Sequence, residues 1–224
     1  IGRSVFLRDY GQVIYSTFFR RLAHKTQVHA IPNSDHIRTR LTHSIEVEQI
    51  GRHIARYFFR KLLNNSYFKS ESSKYVLDLA QKIEDLTATA CLAHDVGHAP
   101  FGHTGAVVLN KRLNEYEFDD NKQVTRILLN ELLYENLSPS AALVCSVLKK
   151  RITIENCYAE EKEMLLKIVK NCGLENLRHP ISFFMEAADD IAYITSDLSD
   201  YILFIARNND VAAVMDAKLF EKIH

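Results

Sequence analysis

The stretch Ile83-Glu84-Asp85-Leu86-Thr87-Ala88-Thr89-Ala90-Cys91-Leu92-Ala93-His94-Asp95-Val96-Gly97-His98-Ala99-Pro100-Phe101-Gly102-His103 decides how the chain reads. Small and apolar residues recur at helical spacing through Ala80, Ile83, Thr87, Ala90 and His94, the mark of one inward-facing helix face. Gly97 supplies a helix stop. Polar chemistry then crowds in at once, with three histidines and one aspartate between His94 and His103. The segment predicts a buried helix from Val76 to His94 that ends in a cluster of potential ligands.

The same rhythm extends outward in both directions. His43, Val47, Ile50, Ile54 and Phe58 mark a helix between Leu41 and Leu63. Shorter helices are expected over Val107 to Leu113 and Val124 to Leu133, and another from the Ser138-Pro139 pair to Leu148. Glu160 to Cys172 reads as a helix closed by Gly173, and a final long helix runs from Pro180 to about Phe204. Arg151-Ile152-Thr153-Ile154 is the one weak strand signal, and the polar stretch Asn64 to Ser73 reads as a surface loop. Only 7 glycines and 4 prolines in 224 residues leave few turns for an all-β fold. The expectation is an all-α chain folded as a single domain over residues 1–224.

Composition narrows the function. Lys and Arg (28) balance Asp and Glu (28), which argues against a protein devoted to non-specific nucleic-acid binding. Cys91, Cys145, Cys157 and Cys172 show no CxxC spacing, so free thiols in a reducing compartment are expected. No apolar run reaches membrane-spanning length, and Ile1-Gly2-Arg3-Ser4 does not read as a signal peptide. The cytoplasm follows as the default, with no membrane partner. Arg20, Arg21 and Lys25 could contact phosphate or single-stranded nucleic acid, although a solvated basic helix face is the simpler reading.

The chemistry rests on three segments taken together. A lone His-Asp pair is weak evidence, because helix ends often carry polar caps. However, His43 falls on the apolar face of its helix, and Asp189 lies inside the hydrophobic run Met185 to Tyr193. An unpaired buried carboxylate costs several kcal/mol even after relaxation. One divalent metal held by His43, His94, Asp95 and Asp189 would satisfy all four placements. Manganese is favoured, with magnesium, iron and zinc as the other options. No glycine-rich phosphate loop is present, which speaks against ordinary γ-phosphate chemistry.

This order of ligands resembles the HD superfamily, an all-α helical bundle around a central metal site, and within it the bacterial dGTPase-like deoxynucleoside triphosphate triphosphohydrolases. Phe19 to Val28, Arg38 to Ser44, His94 to His103 and Met185 to Asp197 are similar to motifs of that branch. The resemblance implies hydrolysis at the α-phosphorus, releasing triphosphate and a deoxynucleoside, from dGTP or from dNTPs generally. It also implies that the metal quartet falls on His43, His94, Asp95 and Asp189. Arg40 and His98 would contact phosphate, Gln27 the sugar 3′-hydroxyl, and Tyr193 and Asp197 the deoxyribose. His103 and His98 would serve catalysis, and a homo-oligomer is expected. Independently of the family, Asp189, Tyr193 and Asp197 are spaced i, i+4, i+8 and share one helix face.

One position departs from the family pattern. Gly102-His103-Thr104-Gly105-Ala106 stands where the family reads Gly-His-x-Gly-Glu, so the carboxylate expected at Ala106 is missing. Losing the acid that orients a catalytic imidazole weakens proton transfer while leaving binding intact. An inactivated engineered form, a slow natural homologue, and substitution by Glu115, Glu117 or Asp120 each account for it; the intact remainder of the site favours the first. The competing readings are an HD-type phosphodiesterase or 5′-nucleotidase, and a catalytically silent nucleotide-binding module.

Overall fold

The computed structural model describes residues 3–27, 38–63, 68, 72–113, 117–131, 138–149 and 154–207. Nine α-helices are seen among them: α1 (Val5–Tyr15), α2 (Thr17–Arg21), α3 (Arg40–Leu62), α4 (Ser73–Ala93), α5 (Gly102–Arg112), α6 (Asp120–Arg126), α7 (Ala141–Ser146), α8 (Lys162–Asn171) and α9 (Pro180–Arg207). Among the described residues there is no strand, only an isolated antiparallel bridge between Thr26 and Thr39. The all-α expectation holds. Most of the Arg151 to Ile154 strand signal and most of the Asn64 to Ser73 loop lie outside the described residues, as do Leu132 and Leu133.

Local sequence explains where several helices begin. Ser4, Thr39, Ser72, Asp119 and Ser140 each occupy an N-cap and accept a bond from a backbone N–H three residues on. Thr39 and Thr42 do so reciprocally, making a capping box at the start of α3. The cap of α7 is therefore Ser140 rather than Ser138, two residues later than the sequence suggested. Buried Asp9 fixes this start from α1, its Oδ2 accepting from the Ser140 N–H at 3.0 Å. Gly173 closes α8 as expected. Its φ is 64°, its N–H reaches Lys170 O, and the Leu174 N–H reaches Val169 O, the paired bonds of a Schellman end.

Gly97 has a different role from the one expected. Helix α4 already ends at Ala93, and Gly97 is not a left-handed cap. A Cβ there would lie 2.4 Å from Val124 N and 2.6 Å from Asp120 O. Glycine is needed because the loop presses directly on the backbone of α6.

The core forms where α3, α4 and α9 pack on one another, with α1 against α4. Val47, Ala90, Cys91, Leu92, Met185 and Ala188 are all at most 2% exposed there. Gly51 lets α3 approach α4, since a Cβ on it would meet Cys91 Sγ at 2.5 Å. Charged groups bind the same helices together. Arg56 donates to Glu84 through Nε (2.7 Å) and Nη2 (2.6 Å), while Arg52 bonds both Glu48 and Glu84. The Arg56 and Arg52 bonds hold the Glu84 carboxyl below its ordinary value, against the opposing effect of burial.

A carboxyl with a depressed pKa stabilises the fold above its unfolded value, and that contribution fades as pH falls through the folded one. Glu84→Gln is therefore expected to lower the melting temperature near neutral pH. The difference from wild type should vanish as the pH drops from about 5 to about 3. Thermal unfolding followed by circular dichroism checks this, and a gap that persists at acid pH contradicts it.

Candidate metal centre

The antiparallel packing of α3 and α4 brings the start of one helix beside the end of the other. His43 lies in the first turn of α3, His94 caps the end of α4, and Asp189 arrives from the middle of α9. His43 Nε2 is 3.0 Å from Asp189 Oδ1, and His94 Nε2 is 3.4 Å from the same oxygen. The ligand atoms of these three residues all lie within 4.8 Å of one another. Asp95 stands beside them, with Oδ1 3.6 Å from His94 Nε2 and Oδ2 bonded to Arg40 Nη1 at 2.6 Å.

The donors fit a divalent cation. His94 Nδ1 lies 2.6 Å from Cys91 O, so it donates its proton there and leaves the Nε2 lone pair facing the carboxylates. That nitrogen is buried and has no hydrogen-bond partner. A lone pair aimed at an anionic oxygen is stable only with a positive charge between them. Backbone orientation of a ligand imidazole through its other nitrogen is also how metal sites fix ligand geometry. Two imidazoles and carboxylate oxygen suit a borderline divalent ion.

Electrostatics agree. Burial pushes the Asp95 carboxyl up, but His94, Arg40 and His98 outweigh it and hold it at about 2. Burial also raises Asp189, and the His43 hydrogen bond, the nearby His94 imidazole and Lys149 bring it well below the carboxylate range. Both acids are thus fully charged near neutrality. Lys149 was not legible in the sequence: its Nζ donates to Asp189 Oδ2 at 3.1 Å from the end of the α7 segment.

The residues expected to meet substrate are distributed around this centre. The Gln27 N–H donates to Arg38 O at 3.1 Å, and the Arg40 N–H donates to Lys25 O at 2.7 Å. These bonds clamp residues 25–27 across the start of α3. Gln27 Oε1 and Arg40 Nε are buried without partners. Arg40 itself is occupied with Asp95, and Lys25 is half-buried and donates to His98 O, so Lys25 does not belong to a solvated face. Arg20 and Arg21 are exposed. Tyr193 is exposed on α9 one turn beyond Asp189, and the side chain of Asp197 lies outside the described residues.

His98 and His103 form a second group with Asp120, their ligand atoms within 4.8 Å of one another. Burial and the Arg40 charge lower the His98 pKa, which keeps its imidazole neutral. Ala106 is half-buried one turn along α5 from exposed His103. Among the three acids considered as substitutes, Asp120 faces the two histidines. Glu117 is exposed and pairs with Lys122 at 3.7 Å, and Glu115 lies outside the described residues.

Comparison with known proteins places the chain in a family. A sequence model of the family described as HD domain covers residues 40–172, which include His43, His94, Asp95, His98, His103 and Asp120. The chain belongs to the HD domain family. It is 38% identical over 209 residues to a deoxyguanosinetriphosphate triphosphohydrolase-like protein of Bartonella tribocorum, covering 89% of this chain and 47% of that protein. A protein of the same description from Agrobacterium fabrum is 36% identical over 213 residues, covering 89% and 47% of the two chains. Another, from Pseudomonas aeruginosa, is 32% identical over 242 residues, covering 89% and 52%. The chain spans about half the length of the curated relatives it matches. No helix among the described residues is long and apolar enough to cross a membrane.

Removing a ligand should cost more than removing a supporting partner, which typically costs 10- to 100-fold in metal affinity. His43→Ala, His94→Ala and Asp189→Asn are each expected to weaken manganese binding by more than about a hundredfold. Isothermal titration of the metal alone tests this. Wild-type affinity in any of the three removes that residue from the ligand set.

Proposed function

We propose that this chain is a single HD-type unit that hydrolyses a deoxynucleoside triphosphate to a deoxynucleoside and intact triphosphate. The observation that carries the reading is the His43, His94 and Asp189 cluster, with the unpartnered His94 nitrogen at its centre. The names of the relatives support the substrate class. A divalent metal held by His43, His94, Asp95 and Asp189 would supply Lewis-acid screening of phosphate charge and a lowered water pKa.

The remaining work falls to the protein's own groups. Arg40 anchors Asp95 and presents its free guanidinium edge towards a phosphate oxygen. His98, whose Nδ1 bonds the Ala99 carbonyl at 3.1 Å, donates from Nε2 to phosphate as the imidazolium that the substrate's negative charge favours. Gln27 Oε1 needs a donor, and a sugar hydroxyl provides one. Tyr193, and Asp197 two turns beyond Asp189, supply the ring face and acceptor that hold the deoxyribose. Lys149 balances Asp189 and is a further cation for the triphosphate.

His103 moves the proton of the water or of the leaving 5′-oxygen. With alanine at 106 its orienting acid is absent, and Asp120 is the carboxylate left to assist. Turnover is accordingly slow. Restoring the acid with Ala106→Glu is expected to raise kcat by about a hundredfold or more, within the usual range of general acid–base effects. Asp120→Asn should lower the residual rate of the chain as it stands.

Phosphorus NMR of dGTP and the other three dNTPs with manganese decides the reaction. Free triphosphate from the Ala106→Glu form supports the proposal. Orthophosphate or pyrophosphate points to an HD phosphodiesterase or nucleotidase instead. Tight dNTP binding with no product from either form makes the chain a nucleotide-binding module.

A further inference from the structure

We propose that His98, His103 and Asp120 form a second transition-metal site that shares no residue with the His43–His94–Asp189 centre. Each of the three offers one atom, and all lie within 4.8 Å of one another. His98 Nε2 is 3.9 Å from Asp120 Oδ2. That gap is too long for a hydrogen bond. It is within the roughly 4 Å that two ligands bound at about 2.0–2.2 Å to one ion can span.

A single residue orients two of the ligands. The carbonyl of Ala99 is 3.1 Å from His98 Nδ1, which turns the Nε2 lone pair outward. The N–H of Ala99 donates to Asp120 Oδ1 at 2.8 Å, which leaves Oδ2 for a cation. Such hydrogen bonds to the far side of each ligand hold metal sites in register. His103 completes the set from α5, its ring centroid 5.8 Å from that of His98. Because it is exposed, it can rotate onto an ion at little cost to the fold.

Two imidazoles and one carboxylate select zinc or cobalt over magnesium, which prefers an all-oxygen shell. The three ligands leave a coordination position open. An ion here would occupy the ring nitrogens that His98 and His103 need free to carry a proton for phosphate binding and proton transfer, so zinc in excess is inhibitory. That consequence alone rests on the hydrolase reading. The site itself is tested without any substrate.

Equilibrium dialysis of the 224-residue chain against zinc, followed by elemental analysis, counts the bound ions. The wild type is expected to hold two per chain. His103→Ala and Asp120→Asn should each hold one, and Asp120→Asn keeps an oxygen to accept from Ala99. His94→Ala should also hold one, and the His94→Ala/His103→Ala double variant none. Cobalt spectra should show the second ion's bands disappear in His103→Ala and persist in His94→Ala. A wild type that takes up one zinc overturns the site, as does a second zinc indifferent to His103→Ala and Asp120→Asn. A chain that binds two zinc ions but shows no dNTP turnover with manganese keeps the site and rejects the hydrolase reading.

Discussion

The carboxylate of Asp189 is the point on which three helices agree. It lies on α9, accepts from His43 on α3, faces His94 at the end of α4, and takes a bond from Lys149 beyond α7. A charge placed among apolar neighbours destabilises a fold unless partners surround it. Met185, Ala188 and Ala192 on the same helix are all but fully buried, so α9 cannot rotate to release Asp189 without uncovering its own core. The positions of His43, His94 and Asp189 are therefore fixed by ordinary packing. What the site requires is simply that the buried charges be answered.

The loop from His94 to His103 is held in another way. Helix α5 buries none of its residues and enters through Phe101 and Gly102, both with left-handed φ. Its attachment comes from backbone proximity. A Cβ on Gly105 would sit 1.7 Å from Pro100 O, and one on Gly97 would strike Val124 N and Asp120 O. The two glycines let the loop fold back on itself and onto α6. That approach is what brings Asp120 to the Ala99 N–H and so towards His98 and His103.

Much of this was legible in the sequence, and the reasons are specific. Helices α3, α4 and α9 are long and regular, so their apolar period names the buried face, and with it His43, His94 and Asp189. Boundaries were less visible. Helix α4 ends within one residue of the expected His94, but its start at Ser73 precedes the apolar pattern that begins at Val76. Helix α6 starts at Asp120, ahead of the apolar pattern at Val124, and passes into a π-helical turn at Ile127–Glu131 that breaks the period. Lys149 carried no local signal, since its partner is 40 positions away and only the packing of α7 near α9 joins them. Asp120 was one acid among three by sequence, and tertiary structure separates it from exposed Glu117.

The alanine at 106 acquires its meaning from this division. His43 and His94 are buried in the core with Asp189 held against them, whereas His103 is exposed on a helix with no buried residue. A side chain so placed keeps its rotamers unless something nearby restrains it, and a glutamate one turn along the same face would do so. Without that restraint, His43, His94 and Asp189 are still locked in place, and the imidazole proposed to move protons is the loosest member. The two proposed roles, metal binding and proton transfer, thus rest on different physical supports, burial for the first and restraint of one surface side chain for the second. Losing the second leaves the fold and the His43, His94 and Asp189 cluster as they are.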